Sequence, residues 1–155
     1  MTVESLLDIC RTTMQNAKFC SVITRDQNRL NARILQPFDP ELDWTIWFGT
    51  HPDSRKVSNI KNDPNLTLIY YDNQDIGYVT LLGTAQIFED ENLRQKYWNG
   101  NFRTYFPKGP DEGYILIKFI PDQIELLSFG HKVTPEPFGL KPAVLTRTNN
   151  EWTQV

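Results

Sequence analysis

Arg33 and the run Ser54-Arg55-Lys56 are the residues whose types could hold an anion. The stretch "SRKVSNIKNDPN" places Val57 and Ile60 at helical spacing, and Asp63-Pro64 breaks the pattern. The spacing predicts a short helix from Ser54, whose hydroxyl as N-cap can accept from the free first-turn donors. Arg55 and Lys56 then stand where the macrodipole is already positive, each at a cost of roughly 0.3–1 kcal/mol. Arg33 lies in the strand-like "LNARILQ" (30–36). There Leu30, Ala32 and Ile34 share one face, and Asn31, Arg33 and Leu35 the other. If this segment pairs with "WTIWFGT" (44–50), the three cations converge. A helix N-terminus with basic side chains beside it, and the hydroxyls of Thr50 and Ser54, suits a phosphate or carboxylate. The competing reading makes Arg55 and Lys56 solvated surface residues paired with Asp53 or Asp63, the ordinary state of surface charge.

The remaining reactive residue types form no second constellation. His51 reads as a solvated turn residue, and His131 has no cluster of His and Cys around it that would make a metal site. Cys10 and Cys20 match no metal or redox spacing and read as buried small hydrophobes. Asp111 and Glu112 read as a solvated acidic turn. No carboxylate pair and no Ser/His/Asp arrangement argues for hydrolysis.

The elements that must position these residues come from a chain of 155 residues, 39% hydrophobic and 23% charged, which is enough for one domain with its own core. Aromatics beside basic residues suggest a third reading, a barrel that binds single-stranded nucleic acid. The net charge of −3 and the lack of a basic stripe weigh against it and against any broad polyanion-binding surface. No apolar run reaches the roughly 20 residues of a membrane span. The first residues lack signal-peptide design, so a reduced cytoplasmic protein is expected. Residues 3–17 read as an amphipathic helix. The segments 19–24, 30–36, 44–50, 66–71 and 78–88 read as strands, with Gly83 marking a bulge or corner. Residues 89–98 read as a second peripheral helix, followed by an aromatic loop over 99–113. The segments 114–120 and 124–129 read as two strands around "PDQ", and residues 143–155 as a closing hairpin around Asn149-Asn150. Many strands with a few helices outside imply an α+β barrel or sandwich.

From Phe19 to about Phe129 the chain resembles the pyridoxamine 5′-phosphate oxidase-like FMN-binding split barrels, general stress protein branch. The landmarks are "FCSVIT", "NARIL", "IWFGTHPDSRKVSNIKNDPNLTLIYYD", "GYVTLLGTAQIFEDENLRQKYW" and "YFPKGPDEGYILIKFIPDQIELLSF", in that order. The resemblance implies one mainly β split-barrel domain over 1–155, with an N-terminal helix (1–18) and a C-terminal extension (130–155). It implies a homodimer with FMN in a groove between subunits, and a flavin-dependent oxidoreductase taking electrons from a small molecule or nicotinamide. A non-catalytic flavin-binding stress or sensing module is the alternative. Residue by residue, Arg33 matches a phosphate and flavin contact, and Ile34 and Leu35 offer backbone groups to the ring. Thr50 matches the threonine at the strand end, and Arg55 and Lys56 match the basic pair that holds the phosphate beside Ser54. Tyr78 stands where true pyridoxamine phosphate oxidases have a glutamine contacting flavin. Trp98, Tyr105 and Phe106 are expected to reach the partner subunit's flavin. Phe38 replaces a substrate lysine of the true oxidases, and Arg147 lacks the neighbouring histidine of their C-terminal motif. Vitamin B6 oxidation is therefore not expected.

Overall fold

The structure is a computed structural model that describes residues 1–134 and 139–155; part of the C-terminal tail, residues 135–138, lies outside the described residues. Helix α1 (Val3–Ala17) begins at Thr2, whose side chain accepts from the Ser5 amide. Its buried residues Leu6, Cys10 and Met14 recur every four, the spacing of a single helical stripe. That stripe packs on the strands β4 (Asn65–Asp72) and β5 (Gly77–Phe88). The other strands are β1 (Cys20–Asp26), β2 (Arg29–Leu35), β3 (Ile46–Thr50), β6 (Ile115–Ser128), β7 (Ala143–Thr148) and β8 (Glu151–Gln154). Helices α2 (Arg55–Asn62) and α3 (Glu91–Lys96) complete the set, with a short 3-10 turn at Gly100–Thr104.

The strands form one antiparallel sheet in the order β2-β1-β4-β5-β6-β7-β8, with β3 paired to β6 off that path. The sheet curls without closing: β2 and β8 keep a free edge among the described residues. The main core lies between α1 and the curled sheet, and includes Val22, Ile46, Phe48, Leu68, Leu81, Phe119, Ile124 and Leu126. Trp47, Phe106, Tyr114 and Leu116 form a second buried cluster, with Phe38, Phe88, Tyr97, Trp98 and Phe102 packed around it. No helix among the described residues is long and apolar enough to cross a membrane.

Two expectations are overturned. Strand β2 pairs with β1, and β3 with β6, so the segments carrying Arg33 and Thr50 are not neighbours in the sheet. The two segments expected as separate strands are one 14-residue strand, Ile115–Ser128. Pro121 lies within it opposite Gly83, and the register shifts between Leu82 and Gly83, leaving Asp122 as the extra residue. A bulge is where a strand tolerates a residue that cannot donate to the ladder. A Cβ on Gly83 would lie 2.1 Å from the Ile120 carbonyl oxygen, so the close approach requires glycine. The second peripheral helix is also shorter than expected, Glu91–Lys96, capped by the Asp90 carboxylate on the Leu93 amide.

The C-terminal tail forms the hairpin expected around Asn149-Asn150, both at positive φ as a tight hairpin turn requires. Its Trp152 packs edge-on against Trp44 at 6.0 Å, and Arg11 lies 4.3 Å over the Trp44 ring. The tail is thereby tied to the main core.

Candidate functional site

Strand β3 ends at Thr50 and α2 starts at Arg55 after four intervening residues, so the turn between them folds Thr50, Ser54 and Lys56 into one corner. The Lys56 ammonium donates to Thr50 Oγ1 at 2.7 Å, and Thr50 Oγ1 lies 3.2 Å from Ser54 Oγ. Ser54 has the extended backbone of an N-cap, yet its side chain makes no capping bond. Its hydroxyl is drawn to Thr50 instead, which corrects the expected cap. The first turn of α2 is therefore left without a side-chain acceptor for its N–H groups.

Arg33 reaches this corner from the other side. Its Nη1 donates to Thr24 Oγ1 at 2.8 Å and to the carbonyls of Val22 and Asn31, each at 3.2 Å. Burial, and then the charge of Arg55, lowers the Arg33 pKa. Burial, and then the charge of Arg33, holds Lys56 below the usual lysine range. The three cations thus lie within one another's field, although the pairing expected to join them is absent. What joins them is α2 docking on β1, where buried Thr24 donates to Asn59 Oδ1 at 2.8 Å.

No carboxylate compensates this charge among the described residues. Asp63 pairs with Arg25 at 3.4 Å, and Asp53 forms no ion pair. Neither Arg55 nor Lys56 pairs with Asp53 or Asp63; Arg55 is exposed, as the surface reading expects, whereas Lys56 is half-buried. Like charges gathered without a counterion are unfavourable unless an anion joins them.

The other expected site residues divide between two places. Ile34 and Tyr78 project from the outer sheet face, Ile34 opposite Ser21 and Tyr78 opposite Tyr71. Leu35 turns inward and packs against the core. Among the described residues strand β2 has no second strand partner, so one edge of its backbone at Ile34 and Leu35 is open. Phe106 and Trp98 belong to the second cluster, and Phe106 meets the anion corner through His51, whose ring lies 4.7 Å away. Tyr105 is exposed beside them. Within one chain, therefore, Arg33, Thr50, Ser54, Arg55 and Lys56 come together, while Tyr78 and Ile34 do not join them and the aromatic loop meets them only at the His51–Phe106 contact.

The aromatic cluster has its own polar fastening. Tyr114 donates its hydroxyl to the Tyr97 carbonyl at 2.7 Å, in space that Gly49 leaves open: a Cβ there would lie 2.1 Å from the Tyr114 ring. Tyr97 stacks on Trp47 and donates its hydroxyl to Glu41. Burial, and then the Glu41 carboxylate, pushes the Tyr97 phenol up to about 12. Phe38 lies edge-on to the rings of Tyr97 and Phe102. Elsewhere, His131 pairs with Asp75 at 3.0 Å, and burial pushes both Cys10 and Cys20 up to about 12, as befits inert core thiols.

Two polar residues of the corner were not anticipated, Thr24 and Asn59. Each sits at an inward position, Thr24 in phase with buried Cys20 and Val22, and Asn59 beside buried Val57 and Ile60. A polar residue in a buried phase was the available signal.

Comparison with known proteins places this geometry. The family model described as "Pyridoxamine 5′-phosphate oxidase like" matches residues 7–146. General stress protein 26 of Bacillus subtilis (strain 168) is 26% identical over 132 residues, covering 83% of this chain and 90% of that protein. A solved structure from Clostridium acetobutylicum, described as related to general stress protein 26 and of the pyridoxinephosphate oxidase family, aligns with a TM-score of 0.80 and 18% identity. It covers 97% of this chain and 100% of that one. A pyridoxamine 5′-phosphate oxidase-related, FMN binding protein from Nostoc punctiforme aligns with a TM-score of 0.71 and 16% identity, over 100% of this chain and 98% of its own.

Proposed function

Because the chain belongs to the pyridoxamine 5′-phosphate oxidase-like family, we propose that its cation corner holds the phosphate of FMN and that it acts as an FMN-dependent oxidoreductase. One observation carries the reading: Arg33, Arg55 and Lys56 share a corner with two hydroxyls and no carboxylate. A phosphate dianion supplies the missing charge, and charge-assisted donors are the strongest hydrogen bonds available to hold it. The open first turn of α2 adds N–H groups and a favourable dipole. The Nostoc relative described as FMN binding supports flavin as the group that carries the phosphate.

Arg33, Arg55 and Lys56 would hold the phosphate, with Thr50 and Ser54 orienting the lysine. The open edge of β2 at Ile34 and Leu35 would offer backbone groups to the ring. The bound flavin itself supplies the capacity to take up and pass on electrons. The chain's residues contribute charge, orientation and shielding from water, with no nucleophile or acid–base pair required of them. The apolar packing of Phe38 gives a substrate phosphate nothing to bind, which supports a substrate other than pyridoxamine phosphate. The subunits pair through the outer sheet face, where Leu30, Ile34 and Tyr71 are exposed, bringing Tyr78 and the aromatic loop of two chains to each flavin.

The test is a visible spectrum of purified protein after adding FMN and desalting. Retained flavin absorbance is expected. Loss of all colour overturns the cofactor reading. Anaerobic addition of NADH or NADPH to the loaded protein then separates the two roles: bleaching followed by return of colour in air supports the oxidoreductase. Flavin that no donor reduces makes the chain a non-catalytic carrier.

A further inference from the structure

Arg33 is held by one corner of its guanidinium. Nη1 shares its two protons among three oxygens, those of Val22, Thr24 and Asn31, while neither Nε nor Nη2 meets a protein acceptor among the described residues. One edge of the fork is thus clamped, and the other is free. The clamp's side-chain member, Thr24, is 1% exposed, and its own proton goes to Asn59, itself 5% exposed. A chain of bonds therefore runs from the Arg33 guanidinium through the Thr24 hydroxyl to the Asn59 amide oxygen on α2. Asn31 also donates to that oxygen, at 3.5 Å. Asn59 lies one helical turn after Arg55, so the helix that presents Arg55 and Lys56 also fixes the angle of the third cation.

We propose that Thr24 and Asn59 are positioning residues of the anion site: they touch no ligand and act by aiming the free edge of Arg33 at the phosphate. This inference rests on the phosphate-anchor reading above. Both residues are buried, where an unmet hydroxyl or amide is costly, and the arginine is what completes the hydroxyl's bonding. An untethered arginine retains its charge and loses its aim, because a long flexible side chain must be ordered again on binding.

The test is fluorescence titration of the full chain with FMN and with riboflavin, which lacks the phosphate. Thr24→Val keeps the shape and deletes the hydroxyl. It should weaken FMN about tenfold, the scale of one hydrogen bond to a charged group, and leave riboflavin unchanged. Thr24→Ser should restore FMN binding to within about twofold. In an Arg33→Ala background, Thr24→Val should have no further effect, because its action runs through the arginine. Asn59→Leu supplies the same comparison from the helix side should Thr24→Val fail to fold. Equal losses for FMN and riboflavin, an additive loss in the Arg33→Ala background, or unchanged FMN affinity in the folded variants each overturn the proposal. A wild-type chain that binds FMN no more tightly than riboflavin overturns the phosphate reading itself, and with it this inference, before any variant is made.

Discussion

Lys56 sits half-buried among cations, a poor place for a charge, and that strain has a sign that can be measured. Its folded pKa lies below the ordinary 10.5, from burial first and Arg33 second. The unfolded chain therefore binds the lysine proton more tightly than the folded one. Stability rises with pH through the window between the lowered value and 10.5, and below that window the protonated lysine is a net cost. Lys56→Met should then raise the melting temperature of the ligand-free protein at pH 7 by about 2–4 °C, the effect of about 1 kcal/mol in a domain of this size. The gain should fade as pH approaches 10.5, and a melting temperature that falls at pH 7 would show that the Thr50 bond outweighs the repulsion. The same residue should matter in the opposite sense to the ligand. Replacing Arg55 and Lys56 together by Ala should weaken FMN about a hundredfold or more, since each removes a charge-assisted bond. Unchanged FMN affinity in a titration would refute the anchor. Such opposition between stability and binding is expected wherever a site stores like charge for an absent anion.

At the scale of the element, the bulge between β5 and β6 shows which parts of the architecture sequence patterns reveal. The stripe of α1, the β4–β5 hairpin and the Asn149-Asn150 turn are set by residues near one another in the chain, and all three were legible. "PDQ" reads as a turn because proline cannot donate to a ladder. Its place inside β6 depends on Gly83, nearly forty positions away, accepting the close approach. The site divides the same way. Thr50, Ser54, Arg55 and Lys56 lie within seven residues and could be read together, whereas the aim of Arg33 depends on α2 docking against β1, which no local pattern encodes. The bulge itself yields a prediction: Gly83→Ala places a methyl against the Ile120 carbonyl, and backbone cannot step aside as a side chain can. A loss of about 2 kcal/mol in urea unfolding is expected, typical of overpacking in a closed site. A neutral result would mean that the bulge can migrate along β6.

The whole molecule presents one feature that a solitary chain does not explain. The outer face of the sheet carries Leu30 and Ile34 at 68% and 64% exposure and Tyr71 at 59%, with Ile69 and Tyr78 half-buried between or beside them in register. Apolar side chains gathered on a sheet face cost free energy in water, and pairing with a second copy removes it at roughly 25 cal/mol for each Å² buried. On our reading of the flavin site, this pairing also completes the cofactor groove, because Tyr78 lies on this face while the cation corner lies at the edge beside it. Dimerisation and flavin binding then share a free energy, and each should strengthen the other. Ile34→Glu puts a charge at the centre of the face without altering the β2 backbone or any cation. Sedimentation should show single chains at micromolar concentration, where the wild type should be dimeric, and FMN should bind more weakly although Arg33, Arg55 and Lys56 are intact. Leu42→Glu, at a position 98% exposed and off this face, should change neither property. A wild type that sediments as a single chain would refute the dimer, and an Ile34→Glu variant that stays dimeric would place the interface elsewhere. A monomeric Ile34→Glu variant with undiminished FMN affinity would confine the flavin to one subunit and uncouple it from assembly.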